Sequence, residues 1–87
     1  MTAVLGINLS AIERVEFFKR DEVTTDLICC DIATDAQTFS YHEEWRGWSA
    51  LIAQPEGLDG FRKDWFSRVS QPPFSECRFV AFQRAAP

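Results

Sequence analysis

The spacing of apolar residues changes period twice along this chain, and that change sets the order of its elements. Up to Glu43 apolar side chains recur at alternate positions, the signature of half-buried strands. Glu13 to Arg20 places Val15 and Phe17 on one face and Arg14, Glu16, Phe18 and Arg20 on the other. Thr24 to Ile32 sets Ile28, Cys30 and Ile32 against Leu27, Cys29 and Asp31. Gln37 to Glu43 sets Phe39 and Tyr41 against Thr38, Ser40 and His42. Asp21-Glu22 and Thr34-Asp35-Ala36 are short and polar, as hairpin turns are.

From Gly47 the period becomes helical. Trp48, Leu51 and Ile52 share a face, and Pro55 with Gly57 ends the segment. A second helix is predicted from Asp59, as N-cap, to Ser70. Its stripe is Phe61, Trp65 and Val69 at i, i+4 and i+8. Pro72-Pro73 forces an extended crossover. Glu76 to Arg84 then alternates again, with Cys77, Phe79 and Ala81 on one face and Val80 and Phe82 on the other.

The order β-β-β-α-α-β predicts an α+β two-layer sandwich in a single domain spanning 1–87, with an ordered core over about 5–84. Three strands joined by two short turns form an antiparallel meander. The fourth returns after both helices have crossed one face of the sheet. Phe39, Tyr41, Trp48, Leu51, Phe61, Trp65, Val69 and Phe79 are the expected core. The uncovered face would display Phe18, Val80 and Phe82, an apolar patch of the kind that marks interfaces. A homodimer, or another protein bound to that face, is the expected partner. Asp31, Glu43 and Glu44 add carboxylates to the same candidate surface.

Charge narrows the partners further. The 87 residues carry a net charge of −4, and residues 21–44 hold seven carboxylates with no Lys or Arg. Such a segment repels phosphate backbones, so nucleic acid is not expected. It would suit a basic protein, which makes a small acidic inhibitor or immunity-type protein the alternative reading. The uncharged start, Met1 to Ile12, is interrupted by Thr2, Gly6, Asn8 and Ser10. It predicts neither a membrane span nor a signal peptide. Three cysteines, two of them adjacent, are no disulfide framework, and a cytoplasmic protein with reduced thiols is expected.

Catalytic patterns are sparse. One histidine, His42, and scattered Gly6, Gly47, Gly57 and Gly60 supply neither a zincin motif nor a phosphate loop. Cys29 and Cys30 point to opposite faces of one strand and sit in an acidic stretch that disfavours a thiolate. No enzyme, no cofactor and no catalytic residue is therefore expected. The remaining chemical alternative is a small-ligand or metal-binding regulatory domain centred on Cys30, Cys77 and His42, though these lack CxxC spacing.

The run Glu43-Glu44-Trp45-Arg46-Gly47-Trp48-Ser49-Ala50-Leu51-Ile52, followed by Gly60-Phe61, Trp65-Phe66-Ser67-Arg68-Val69 and Pro72-Pro73-Phe74, resembles a group of small uncharacterised bacterial proteins. The resemblance covers positions 7–84. It implies three strands, a Gly-Trp helix, a W-x-x-x-V helix, a P-P-F break and a final apolar strand. These are packing motifs, so the resemblance implies an architecture and no activity. A non-catalytic protein-interaction or self-associating module is the leading functional expectation.

Overall fold

The computed structural model describes residues 3–4, 7–21, 26–70 and 77–84. A two-stranded hairpin, β1 (Ala3–Val4) and β2 (Ile7–Asn8), is followed by a 3-10 turn, Leu9–Ala11. Then come β3 (Ile12–Asp21), β4 (Asp26–Thr34), β5 (Thr38–His42), α1 (Trp48–Ala53), α2 (Trp65–Ser70) and β6 (Cys77–Gln83). The last four strands make one antiparallel sheet in the order β5-β4-β3-β6. Both helices bury residues in the same core against one face of it, so the predicted α+β sandwich is the observed fold.

The inner face is built from the alternation. Ile12, Val15 and Phe17 of β3 meet Ile28, Cys30 and Ile32 of β4, all at or below 6 % exposure. Leu51 and Ile52 of α1, and Trp65 and Val69 of α2, close over them. Each large apolar side chain buried here contributes roughly 1.5–3 kcal/mol. Phe17 is central: Trp65 stacks on its ring, while Trp48 and Phe61 approach edge-on, each 6.3 Å between centroids.

The inner row of β3 does not end on an apolar residue. Lys19 is buried there, and its Nζ donates to the Ser70 carbonyl at 3.2 Å. That oxygen lies at the C-terminal end of α2, where no intrahelical donor remains and a cation is favourable.

Several expectations are corrected. The second helix runs only over Trp65–Ser70, not from Asp59. Gly60 adopts φ +88°, a left-handed conformation that stops a helix, and the Arg62 N–H leaves to donate to the Ala81 carbonyl at 2.7 Å. Phe61 is still buried, so the apolar stripe holds although its first member is not helical.

Phe82 is not on the outer face. A register shift between Val15 and Glu16 makes β6 bulge: Val15 faces Phe82 while Glu16 faces Val80. One extra residue reverses the alternation beyond it, so Ala81 and Phe82 are both buried, at 0 % and 7 % exposure. The strand-two boundary also moves, with β4 ending at Thr34 rather than Ile32. Phe39, Tyr41, Trp48 and Phe79 pack against the core only in part. Phe39 and Tyr41 stand on the edge strand, beyond the centre of the helical cover. The expected Asp21-Glu22 turn and the Pro72-Pro73-Phe74 break involve residues outside those described, as does the side chain of Cys77.

Candidate interaction surface

Strand register arranges the outer face in three rows. His42, Cys29, Phe18 and Arg78 form one; Ser40, Asp31, Glu16 and Val80 the next; Thr38, Ala33, Arg14 and Gln83 the third. Arg14, Arg20, Thr38, Ser40, His42 and Arg78 are exposed, so among the described residues no further layer covers this side.

Of the expected surface residues, Phe18, Val80 and Asp31 lie here, all half-buried. They do not make a bare apolar patch. The Arg78 guanidinium lies 4.5 Å from the centre of the Phe18 ring, a contact worth about 0.5–1 kcal/mol at such a site. Arg78 also bridges to Glu16 at 3.0 Å, and Arg14 reaches the same oxygen at 3.4 Å. Asp31 accepts from the Ser40 hydroxyl at 2.7 Å. The face is thus a mixed polar surface around two carboxylates that already have partners.

Glu43 has a structural task. Its N–H donates to the Ile28 carbonyl at 2.9 Å, and its carboxylate accepts the Ile28 N–H at 2.7 Å, ending the β4–β5 ladder with its side chain. Glu44 is exposed in the turn that follows. The acidic stretch is therefore divided between the sheet face, a ladder end and turns.

Cys30 and His42 are not brought together. Cys30 faces the core opposite Tyr41, whereas His42 lies opposite Cys29 on the other face. The register sets Cys77 beside Lys19, with β3 between it and both cysteines of β4. Among the described residues no three His, Cys, Asp or Glu side chains converge as metal ligands would. Burial, with the Asp31 and Cys29 charges behind it, pushes the Cys30 thiol far up from its ordinary value. It stays protonated and is a poor nucleophile.

Among the described residues, two depressions mark the outer face. One of about 200 Å³ is lined by Arg14, Glu16, Asp31, Ala33 and Thr38, and one of about 120 Å³ by Phe18, Arg20, Cys29, Ser40, Tyr41 and His42. Small-molecule sites are clefts of about 300–1,000 Å³, so neither suits such a ligand.

The two sheet edges differ. On β6 the Ala81 carbonyl is taken by Arg62, and four guanidiniums lie against nearby rings, those of Arg78 and Arg84 turned back to Glu16 and to the Ile12 and Leu9 carbonyls. Arg62 and Arg68 lie 5.0 and 5.6 Å from the centre of Phe79, Arg84 lies 5.4 Å from that of Phe82, and Arg78 covers Phe18. On β5, Thr38-Phe39-Ser40-Tyr41-His42, there is no Lys, Arg, Pro or bulge. Its aromatic side continues into Trp45, whose ring is 5.3 Å from Tyr41 and is itself 38 % exposed. Sequence reading placed Phe39 and Tyr41 in the core and so missed this edge. The clue was that a meander leaves its third strand with one neighbour.

Comparison with family models, with curated proteins and with solved structures found no match for this chain. Among the described residues no helix is long and apolar enough to cross a membrane.

Proposed function

We propose that this chain is a non-catalytic protein-interaction module that associates with a second copy of itself. The observation that supports this reading is the unequal cover of the sheet. Helices bury one face, while the other face and the β5 edge present backbone and side chains to solvent. The buried, protonated Cys30 is a poor nucleophile, which favours binding over catalysis. The buried thiol of Cys30 favours a reducing, cytoplasmic setting. Nucleic acid is not a partner in this reading, because the acidic stretch would repel it.

Sedimentation velocity of the untagged protein, from low micromolar to millimolar concentration, tests the proposal. A self-associating module moves from 10.0 kDa towards twice that mass as concentration rises. A single 10.0 kDa species throughout would sink the reading.

A further inference from the structure

The exposed edge of β5 carries an arrangement that fits a second copy of the same strand. Its backbone polarity follows from one bond. Glu43 N–H donates to Ile28 C=O in the register that places His42 opposite Cys29 and Tyr41 opposite Cys30. Hydrogen-bonded and non-bonded pairs alternate along an antiparallel ladder. Tyr41 and Phe39 therefore spend their backbone groups on β4, whereas Thr38, Ser40 and His42 turn N–H and C=O away from it. The His42 carbonyl accepts from Trp45 N–H at 3.0 Å, as an outward-turned group can. No backbone bond among the described residues engages the outward groups of Thr38 and Ser40.

Resting on the self-association reading, we infer that two copies pair β5 with β5 antiparallel about a two-fold axis at Ser40, giving one eight-stranded sheet. In this register Ser40 bonds to Ser40 of the other copy, and Thr38 lies opposite His42, whose N–H turns outward and whose carbonyl keeps a second lone pair beside the Trp45 bond. The inner face then sets Phe39 opposite Tyr41, and Tyr41 opposite Phe39, in the closely spaced non-bonded pairs where aromatic side chains meet across strands. Both rings are half-buried in the single chain and so have surface left to bury. On the outer face Thr38 meets His42. Beyond the strand, Glu43 falls opposite Gln37 and Glu44 opposite Ala36, so no like charges oppose. The β6 edge fits less well, because its Ala81 carbonyl already accepts the Arg62 N–H and that strand carries a bulge.

Ser40→Pro tests the register. The Ser40 N–H points away from β4, so proline there removes no bond of the chain's own ladder and is tolerated as on other edge strands. It deletes the two central bonds between copies and places a ring in each. Ser40→Ala, which loses only the hydroxyl bond to Asp31, is the control. The expected result is pairing by Ser40→Ala as by the parent chain, with Ser40→Pro weakened about tenfold or more. Amide exchange on the unmodified chain gives a readout independent of any variant: the Thr38 and Ser40 amides should slow as concentration rises. A pair that persists in Ser40→Pro, or one whose Ser40 amide exchanges equally fast at all concentrations, overturns the edge and leaves self-association standing. A chain that stays monomeric overturns both.

Discussion

Phe17 and Trp65 lie face to face, with ring centroids 3.8 Å apart and planes 6° from parallel. The contact joins the middle of β3 to the first residue of α2. It is fixed from behind by the Trp65 indole N–H, which donates to the Glu56 carboxylate at 3.0 Å. Strand, helix and the Pro55–Gly57 turn thus meet at one side chain. Trp65→Ala should cost about 3–5 kcal/mol, as large aromatic truncations in cores do. Trp65→Phe keeps a ring and loses the indole donor, and should cost less. Chemical denaturation of both variants checks the order.

Gly47 allows the Trp45 ring to fold over the backbone: a Cβ there would lie 2.5 Å from Trp45 Cη2. Since the clash is with the far end of an exposed side chain, the ring should swing away rather than the backbone yield. Gly47→Ala should lower stability by under about 1 kcal/mol. It should also shift Trp45 emission to longer wavelength and weaken its contact with Tyr41, which fluorescence against a Trp45→Phe background resolves.

Cys30 makes stability depend on alkaline pH. Its folded thiol titrates above the ordinary value of 9.0 because burial, foremost, penalises the thiolate. Above pH 9 the unfolded chain releases this proton and the folded chain holds it. The contribution is therefore full below pH 9 and is lost above it, by about 1.4 kcal/mol per pH unit. Tyr41 moves in the same direction from 10.0, chiefly by desolvation, but its ring is only half-buried and it adds less than Cys30. Melting curves should fall between pH 9 and 10 more steeply for the parent than for Cys30→Ala, each compared with its own value at pH 8.

Lys19 ties β3 to the end of α2. Replacing it by Met keeps the buried stem but removes the donor to the Ser70 carbonyl. Lys19→Met should lower stability by about 1.5–3 kcal/mol, the range for a hydrogen bond to a charged group. Faster amide exchange in 65–70 than in β4 would show that the loss is felt at the helix.

Glu43 tests the ladder end. Glu43→Ala leaves the Ile28 N–H without its carboxylate acceptor, and should cost about 1–2 kcal/mol with faster exchange at Ile28. Glu43→Gln retains an oxygen acceptor and should recover part of that loss.

The four strands of the main sheet and the two helices were legible in order because the period of apolar residues changes where the backbone does, whereas the short β1–β2 hairpin, with no such period, was not. Ile28, Cys30 and Ile32, and likewise Leu51, Trp65 and Val69, are buried as their spacing requires. Phe82 was misplaced because a bulge is a property of the pair: nothing in Cys77–Gln83 alone says that β3 will skip a residue opposite it. The helix start was misjudged because the Arg62 N–H finds its partner in β6, about twenty residues away, and a distant acceptor has no local signature. The outer face was read as apolar because Arg78 and Phe18 are remote in sequence. Only the sheet lays one over the other.

The Arg62 bond to Ala81 has a consequence for stoichiometry. Strand addition extends a sheet only from an edge that offers its groups, and a sheet with two such edges can polymerise without limit into fibres. Here the chain's own loop takes the Ala81 carbonyl of one margin, and the Arg62 and Arg68 guanidiniums cover its Phe79. Joining two molecules through the other margin leaves only guarded strands facing outward. In the proposed pair, growth would end at the first step, with the loop at Gly60–Arg62 as its terminator.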